Sequence, residues 1–132
     1  MDSAWNRTSK EPIILSDVEG PHGRKNYASN TVGGYYAARL AVLEKLVQLR
    51  RKAAVLIFRE VGKDYAIPLG VWQVRENMRK ALSNRHHTFD DLESALKYIK
   101  KGLTIPLRFY RQNSLLLKQK TLDVFLREQK NI

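Results

Sequence analysis

Residues 35–52 constrain the fold more than any other part of the chain, because they are rich in Ala and Leu and contain neither Gly nor Pro. Tyr36, Leu40, Leu43 and Val47 recur at helical spacing as one stripe, Leu46 and Leu49 widen it, and the polar side is narrow: Lys45, Gln48 and Lys52. So broad an apolar face predicts a helix at the centre of a fold. Gly33-Gly34 stands just before it and divides it from residues 1–31, which are polar and rich in turn formers. There Gly20-Pro21-His22-Gly23 is a plain loop signal and Ile13-Ile14-Leu15 is the one candidate short strand, so a partly extended segment is expected.

The next elements read as mixed. Val55, Leu56, Ile57 and Phe58 lie in a β-rich run over residues 53–61, and Gly62-Lys63-Asp64 separates it from Tyr65-Ala66-Ile67, the pattern of a β-hairpin. Pro68 and Gly70 end the second arm, after which Val71, Val74, Met78 and Leu82 mark a second helix. A third helix follows: Thr88 as N-cap with Asp91 three later forms a capping-box pattern, Phe89, Leu92, Leu96 and Ile99 supply the buried face, and Lys97, Lys100 and Lys101 precede Gly102. Leu103, Ile105, Leu107 and Phe109 alternate with Thr104, Pro106 and Arg108, which predicts a strand that Pro106 pushes to a sheet edge. The expected architecture is α+β: a polar segment 1–31, a small basic domain 32–112 with a hairpin and an edge strand on about three helices, and a tail 113–132.

A length of 132 residues fits one domain with a core of its own. The absence of cysteine excludes disulfides and thiolate zinc sites and is compatible with a reducing cytosol. No apolar h-region opens the chain and no apolar run approaches a bilayer span, so a cytoplasmic protein without membrane contact is expected. Twenty-four Lys and Arg against thirteen Asp and Glu give a formal charge of +11, which points to a polyanion, DNA first, and to association with the nucleoid.

Gly33-Gly34-Tyr35-Tyr36-Ala37-Ala38-Arg39-Leu40-Ala41, then Arg59-Glu60, then Tyr65 and the run Pro68-Leu69-Gly70-Val71-Trp72-Gln73-Val74-Arg75-Glu76, resemble the C-terminal domain of the archaeal Nre family of DNA-repair proteins. The resemblance spans about residues 30 to 82 and implies a role in DNA damage repair. Family members are longer and carry a cysteine-rich, zinc-ribbon-like N-terminal region. Next to them this chain looks truncated or split, and a separate zinc-containing N-terminal chain or domain is an expected partner. They also end in a clamp-binding peptide. Residues 119–126 of this chain, with Gln119, Leu122, Phe125 and Leu126, resemble the peptide with which DNA-processing proteins dock onto the sliding clamp, PCNA. One 3₁₀ turn would bring Leu122 and Phe125 to one side with Leu126 beside them, and Gln119 would add a directional hydrogen bond. Phe125-Leu126 stands where such peptides usually carry two aromatics. The alternative reading of residues 115–128 is a final amphipathic helix with Leu115, Leu122, Phe125 and Leu126 on its stripe, and a plain nucleic-acid-binding module without clamp contact is the matching alternative for function.

Three constellations complete the survey. Trp72, Arg75 and Arg79 share one helical stripe, with Lys80 adjacent; they either contact nucleic acid or pack Trp72 at the core edge under the Arg stems. Arg50, Arg51, Lys100 and Lys101 stand at predicted helix C-termini, where the helix dipole favours cations and where phosphate contact is also open. Arg59-Glu60 and Arg75-Glu76 predict crossed ion pairs, Arg59 with Glu76 or Glu60 with Arg75. The competing reading is a metal-dependent nuclease on Glu60 and Glu76. An extended backbone turns Arg59 and Glu60 to opposite faces, so at most one of them can join the second pair. His86-His87 with Asp90-Asp91 has poor metal-site spacing, and no metal or other cofactor is expected.

Overall fold

The computed structural model describes residues 11–62 and 69–118. Five helices follow one another: α1 (Val32–Leu49), α2 (Val71–Ser83), α3 (Leu92–Ile99), α4 (Leu107–Asn113) and the single turn α5 (Leu115–Lys118). Among the described residues there is no strand, and the one bridge, Gly20 to Gly23, closes a turn. The expected α+β fold is therefore corrected to a helical one.

The two strand predictions fail for different physical reasons. Residues 53–62 are extended, and exposure alternates along them: Leu56, Phe58 and Glu60 are half-buried while Val55, Ile57 and Val61 face solvent. Period-two patterning is thus present, yet the backbone of this segment enters no hydrogen bond among the described residues, so no ladder forms. The predicted second arm, residues 65–67, lies outside the described residues. Residues 103–109 diverge because Pro106 acts as a helix start. With φ −56° it caps α4, and its carbonyl accepts from the Phe109 amide at 3.0 Å.

α1 and α2 form the centre. Gly33 meets Val71 at their N-terminal ends, while Glu44 meets Arg79 and Gln48 lies beside Ser83 near their C-terminal ends, so the two helices run parallel. Ala37 and Ala38 pack on Val74 with Met78 beside them. Parallel packing requires the connection to return along α1, and Arg59 arrives back over its first turn, its Nη1 3.7 Å from where a Cβ on Gly34 would stand. At α3 the cap is Asp91, whose carboxylate accepts from the Ser94 amide at 2.7 Å, rather than the expected Thr88. Of the face expected to be buried on α3, only Leu96 is, at 1 % exposure the most deeply buried large side chain among the described residues; Phe89, Leu92 and Ile99 are exposed.

The N-terminal segment is more structured than its composition suggests. Arg24 donates to the carbonyls of Val18, Asn26 and Tyr27, at 2.7, 3.1 and 3.3 Å, and pairs with Asp17. Asp17 in turn accepts from the Thr31 amide and hydroxyl at 2.8 and 2.7 Å, holding the entry to α1, where Val32 takes a φ of +44°. Tyr36 ties this segment to α1: its hydroxyl accepts from the Ala28 amide and its ring stacks on Tyr27. The expected strand at residues 13–15 does not form.

The two glycines opening α1 differ in what they permit. A Cβ at Gly33 would stand 2.7 Å from Val71 Cγ1, and a β-branched side chain has little rotamer freedom to yield, whereas Gly34 has room. Gly34→Ala is expected to raise stability by about 0.5 kcal/mol through helix propensity. Gly33→Ala should lower it by about 1 kcal/mol, with Val71→Ala restoring part of the loss when introduced beside it. Urea unfolding of the three variants checks this.

Candidate functional site

The charged residues singled out by sequence separate into those held by partners and those left to solvent. Glu60 is held most firmly. Its Oε1 accepts from the Ile105 amide at 2.8 Å and the Tyr110 hydroxyl at 2.7 Å, and its Oε2 from the Thr104 amide at 2.8 Å. Burial acts to raise its pKa and is outweighed by these donors, so the carboxyl sits below its ordinary 4.5. Burial, with the bond to Glu60 added, pushes Tyr110 well above its usual range. Two residues before Glu60, Phe58 meets the Tyr110 ring edge-on at 5.1 Å. Phe58 and Glu60 thus face α4 while Arg59 faces α1, the opposition expected of an extended backbone.

Glu76 belongs to another cluster. Its Oε1 accepts from Arg79 Nη1 and lies 3.5 Å from Arg75 Nε. Arg79 also grips Glu44 on α1 with a two-pronged contact, Nε to Oε2 at 2.8 Å and Nη2 to Oε1 at 2.6 Å. That bond to Arg79 lowers the Glu44 pKa. The structure therefore gives Glu60 to the 104–110 turn instead of Arg75, and Glu76 to Arg79 and Arg75 instead of Arg59. Glu60 and Glu76 share no partner, and among the described residues no group of three His, Asp or Glu side chains could hold a metal ion. His87 is engaged with Tyr98, Nε2 to hydroxyl 2.9 Å.

Arg79, read by spacing as a phosphate contact, is thus an interhelical tie. Trp72 departs from the packed reading in the other direction. It is 56 % exposed and borders a cleft with Gly33, Tyr36, Leu40, Val71 and Arg75. Arg50, Arg51, Lys80 and Lys100 enter no ion pair among the described residues, and Lys101 lies over the Tyr98 ring at 5.9 Å. Because α1 and α2 are parallel, Arg50, Arg51 and Lys80 fall at the same end of the pair. Two helix C-termini concentrate partial negative charge there, which these cations offset. Gln119, Leu122, Phe125 and Leu126 lie outside the described residues.

Sequence reading missed the cluster around Glu19. Arg39 Nε donates to both its oxygens, at 2.9 and 3.0 Å, and Tyr35 donates to it from the preceding turn of α1. Burial and that bond push the Tyr35 hydroxyl up to about 12. The available signal was Arg39 four residues after Tyr35, facing the same way as the loop formed by residues 16–31.

The three separated pieces of the GGYYA, Arg-Glu and PLGVWQVRE pattern converge at one place: Gly33 on Val71, Arg59 over Gly34, Trp72 and Arg75 beside Tyr36. The family profile described as "Archaeal Nre, C-terminal" matches residues 19–128. The chain belongs to the archaeal Nre family. It is 40 % identical over 129 residues to "DNA repair protein NreB" of Archaeoglobus fulgidus, covering 95 % of this chain and 32 % of that protein. It is 35 % identical over 124 residues to "DNA repair protein NreA" of Haloferax volcanii, covering 93 % and 30 %. To "DNA repair protein NreA" of Archaeoglobus fulgidus it is 46 % identical over 96 residues, covering 70 % and 24 %. This Nre-family chain thus spans no more than about a third of the length of these curated relatives. No solved structure matches it. Among the described residues no helix is long and apolar enough to cross a membrane.

Replacing Glu60 tests the central contact through pH. Its folded pKa is depressed, so its contribution is present above the unfolded value near 4.5 and lost as pH falls through the folded value. Glu60→Gln should lower stability by about 1–3 kcal/mol at pH 7, and the gap to the parent should close below pH 4.5, as followed by urea unfolding across pH.

Proposed function

We propose that this chain is a DNA-repair accessory module that touches DNA through cations on its surface and is tethered to the sliding clamp by Gln119, Leu122, Phe125 and Leu126. The observation that carries the DNA contact is the division among its cations. Arg79 is committed to Glu44 and Glu76, whereas Arg50, Arg51, Lys80 and Lys100 keep their charge uncompensated by any ion pair among the described residues. Uncommitted Lys and Arg on a chain of net charge +11 are the source of salt-dependent affinity for a phosphate backbone. The names of the relatives, DNA repair proteins NreA and NreB, supply the context.

Two observations support the tether. The octapeptide lies inside the span matched by the family profile, residues 19–128. Leu115, the first residue of the stripe that a packed final helix would need, is 59 % exposed. A clamp contact would raise the local concentration of the module on DNA without further DNA contacts. Catalysis by paired carboxylates has no support, because Glu60 and Glu76 serve separate structural contacts.

Two measurements check the two halves of this reading. With a fluorescent oligonucleotide, Lys100→Ala combined with Arg50→Ala and Arg51→Ala should weaken binding several-fold and flatten the salt dependence by about one unit of slope per lost contact. Arg79→Ala should leave that slope unchanged while lowering stability. In calorimetry against the clamp, Phe125→Ala should abolish binding and leave the circular dichroism as it was; simultaneous loss of both would assign the segment to the core.

A further inference from the structure

α1 is packed the unexpected way round. Its buried residues are small, Ala37, Ala38, Ala41 and Val42, whereas Tyr36, Leu40, Leu43 and Val47 face solvent at 38, 44, 39 and 75 % exposure. Their spacing of four, three and four residues places them on one stripe. Beside it, across a cleft of about 330 Å³, stand Val71 and Trp72 of α2, themselves half exposed. A contiguous face of large apolar side chains with an adjoining socket is what a monomer avoids and an interface requires.

We propose that this stripe is the docking face for the part of the Nre polypeptide that, in the longer relatives, lies outside the matched region on the same chain. Length supports this occupant. In the relatives the matched region is 32 % and 30 % of the protein, so the equivalent of α1 is joined to more than twice its own unit's length of further polypeptide. Joined on one chain, that polypeptide meets the stripe at high effective concentration. Charge argues against a second copy, since each carries +11 and would repel the other. It also argues against single-stranded DNA stacking on Trp72: Arg75 is the one cation lining the cleft, and its Nε lies 3.5 Å from Glu76. The occupant is therefore an apolar protein surface.

The test places a photoreactive benzoylphenylalanine in full-length NreB of Archaeoglobus fulgidus at the position aligned with Leu43, and another at the position aligned with Lys100. Irradiation should join the first, and not the second, to residues of the same molecule outside the matched third, as mapped by mass spectrometry. Crosslinks between two copies, to added oligothymidylate, or only within the matched region would each overturn the proposal. In the present chain, Leu43→Asp should move the thermal unfolding midpoint by no more than a few degrees, as at a surface site. A fall of ten degrees or more would show that the stripe belongs to this chain's own core and would also overturn it.

Discussion

The carboxylate of Glu60 is the contact on which the rest of the structure depends. It gathers two backbone amides and a phenol from residues 104–110 onto the segment that returns between α1 and α2. The amides of Thr104 and Ile105 precede the first turn of α4, so the carboxylate fixes where that helix starts as well as where it lies. Phe58 reaches the same Tyr110 on the same side, which adds a ring contact to a charged one. An extended backbone makes this possible, since only alternation can turn Arg59 to α1 while its neighbours on both sides face α4. Removing the acceptor would leave the buried Tyr110 and the half-buried Ile105 amide without this partner, a larger loss than the bonds themselves contribute.

What sequence made legible follows from the range of the interactions concerned. Helices close their hydrogen bonds within four residues, so the existence of α1, α2 and α3 was readable locally, whereas the face each buries was not: Leu40, Leu43 and Val47 of α1 and Leu92 and Ile99 of α3 are exposed. A strand needs a partner elsewhere in the chain. Residues 53–61 have every local property of one and no ladder among the described residues, and local pattern cannot reveal that lack. Pro106 was misread because the same residue suits a sheet edge and a helix start. At the level of single side chains, spacing put Arg75 and Arg79 on one stripe correctly but could not see Glu44, thirty-five residues away, waiting for Arg79. The loop over residues 16–31 was illegible for the same reason: its order comes from one guanidinium, Arg24, and from contacts with α1.

Membership in the Nre family and the geometry of the chain bear on each other. Of the residues that carry the resemblance, the described ones meet where α1, the returning segment and α2 touch, so in this chain they form a joint. Gly33 is there because Val71 is close, and Arg59 crosses where Gly34 leaves space. The cations divide along similar lines. Arg24, Arg39, Arg79 and Arg111 are bound into ion pairs, whereas Arg50, Arg51, Lys80 and Lys100 enter none among the described residues.

Parallel packing of α1 and α2 has a consequence for how the chain reaches its fold. Antiparallel helix neighbours can zip together from a short turn, but a parallel pair cannot form until the connection has travelled back the full length of the first helix. For a helical protein this places an unusually non-local step early, and non-local steps are slow. The landing of Arg59 on the first turn of α1 marks the completion of that return. Until then the alanine face of α1 that Val74 covers stays open to water, and the helix has only the sequence-local loop over residues 16–31 to pack against.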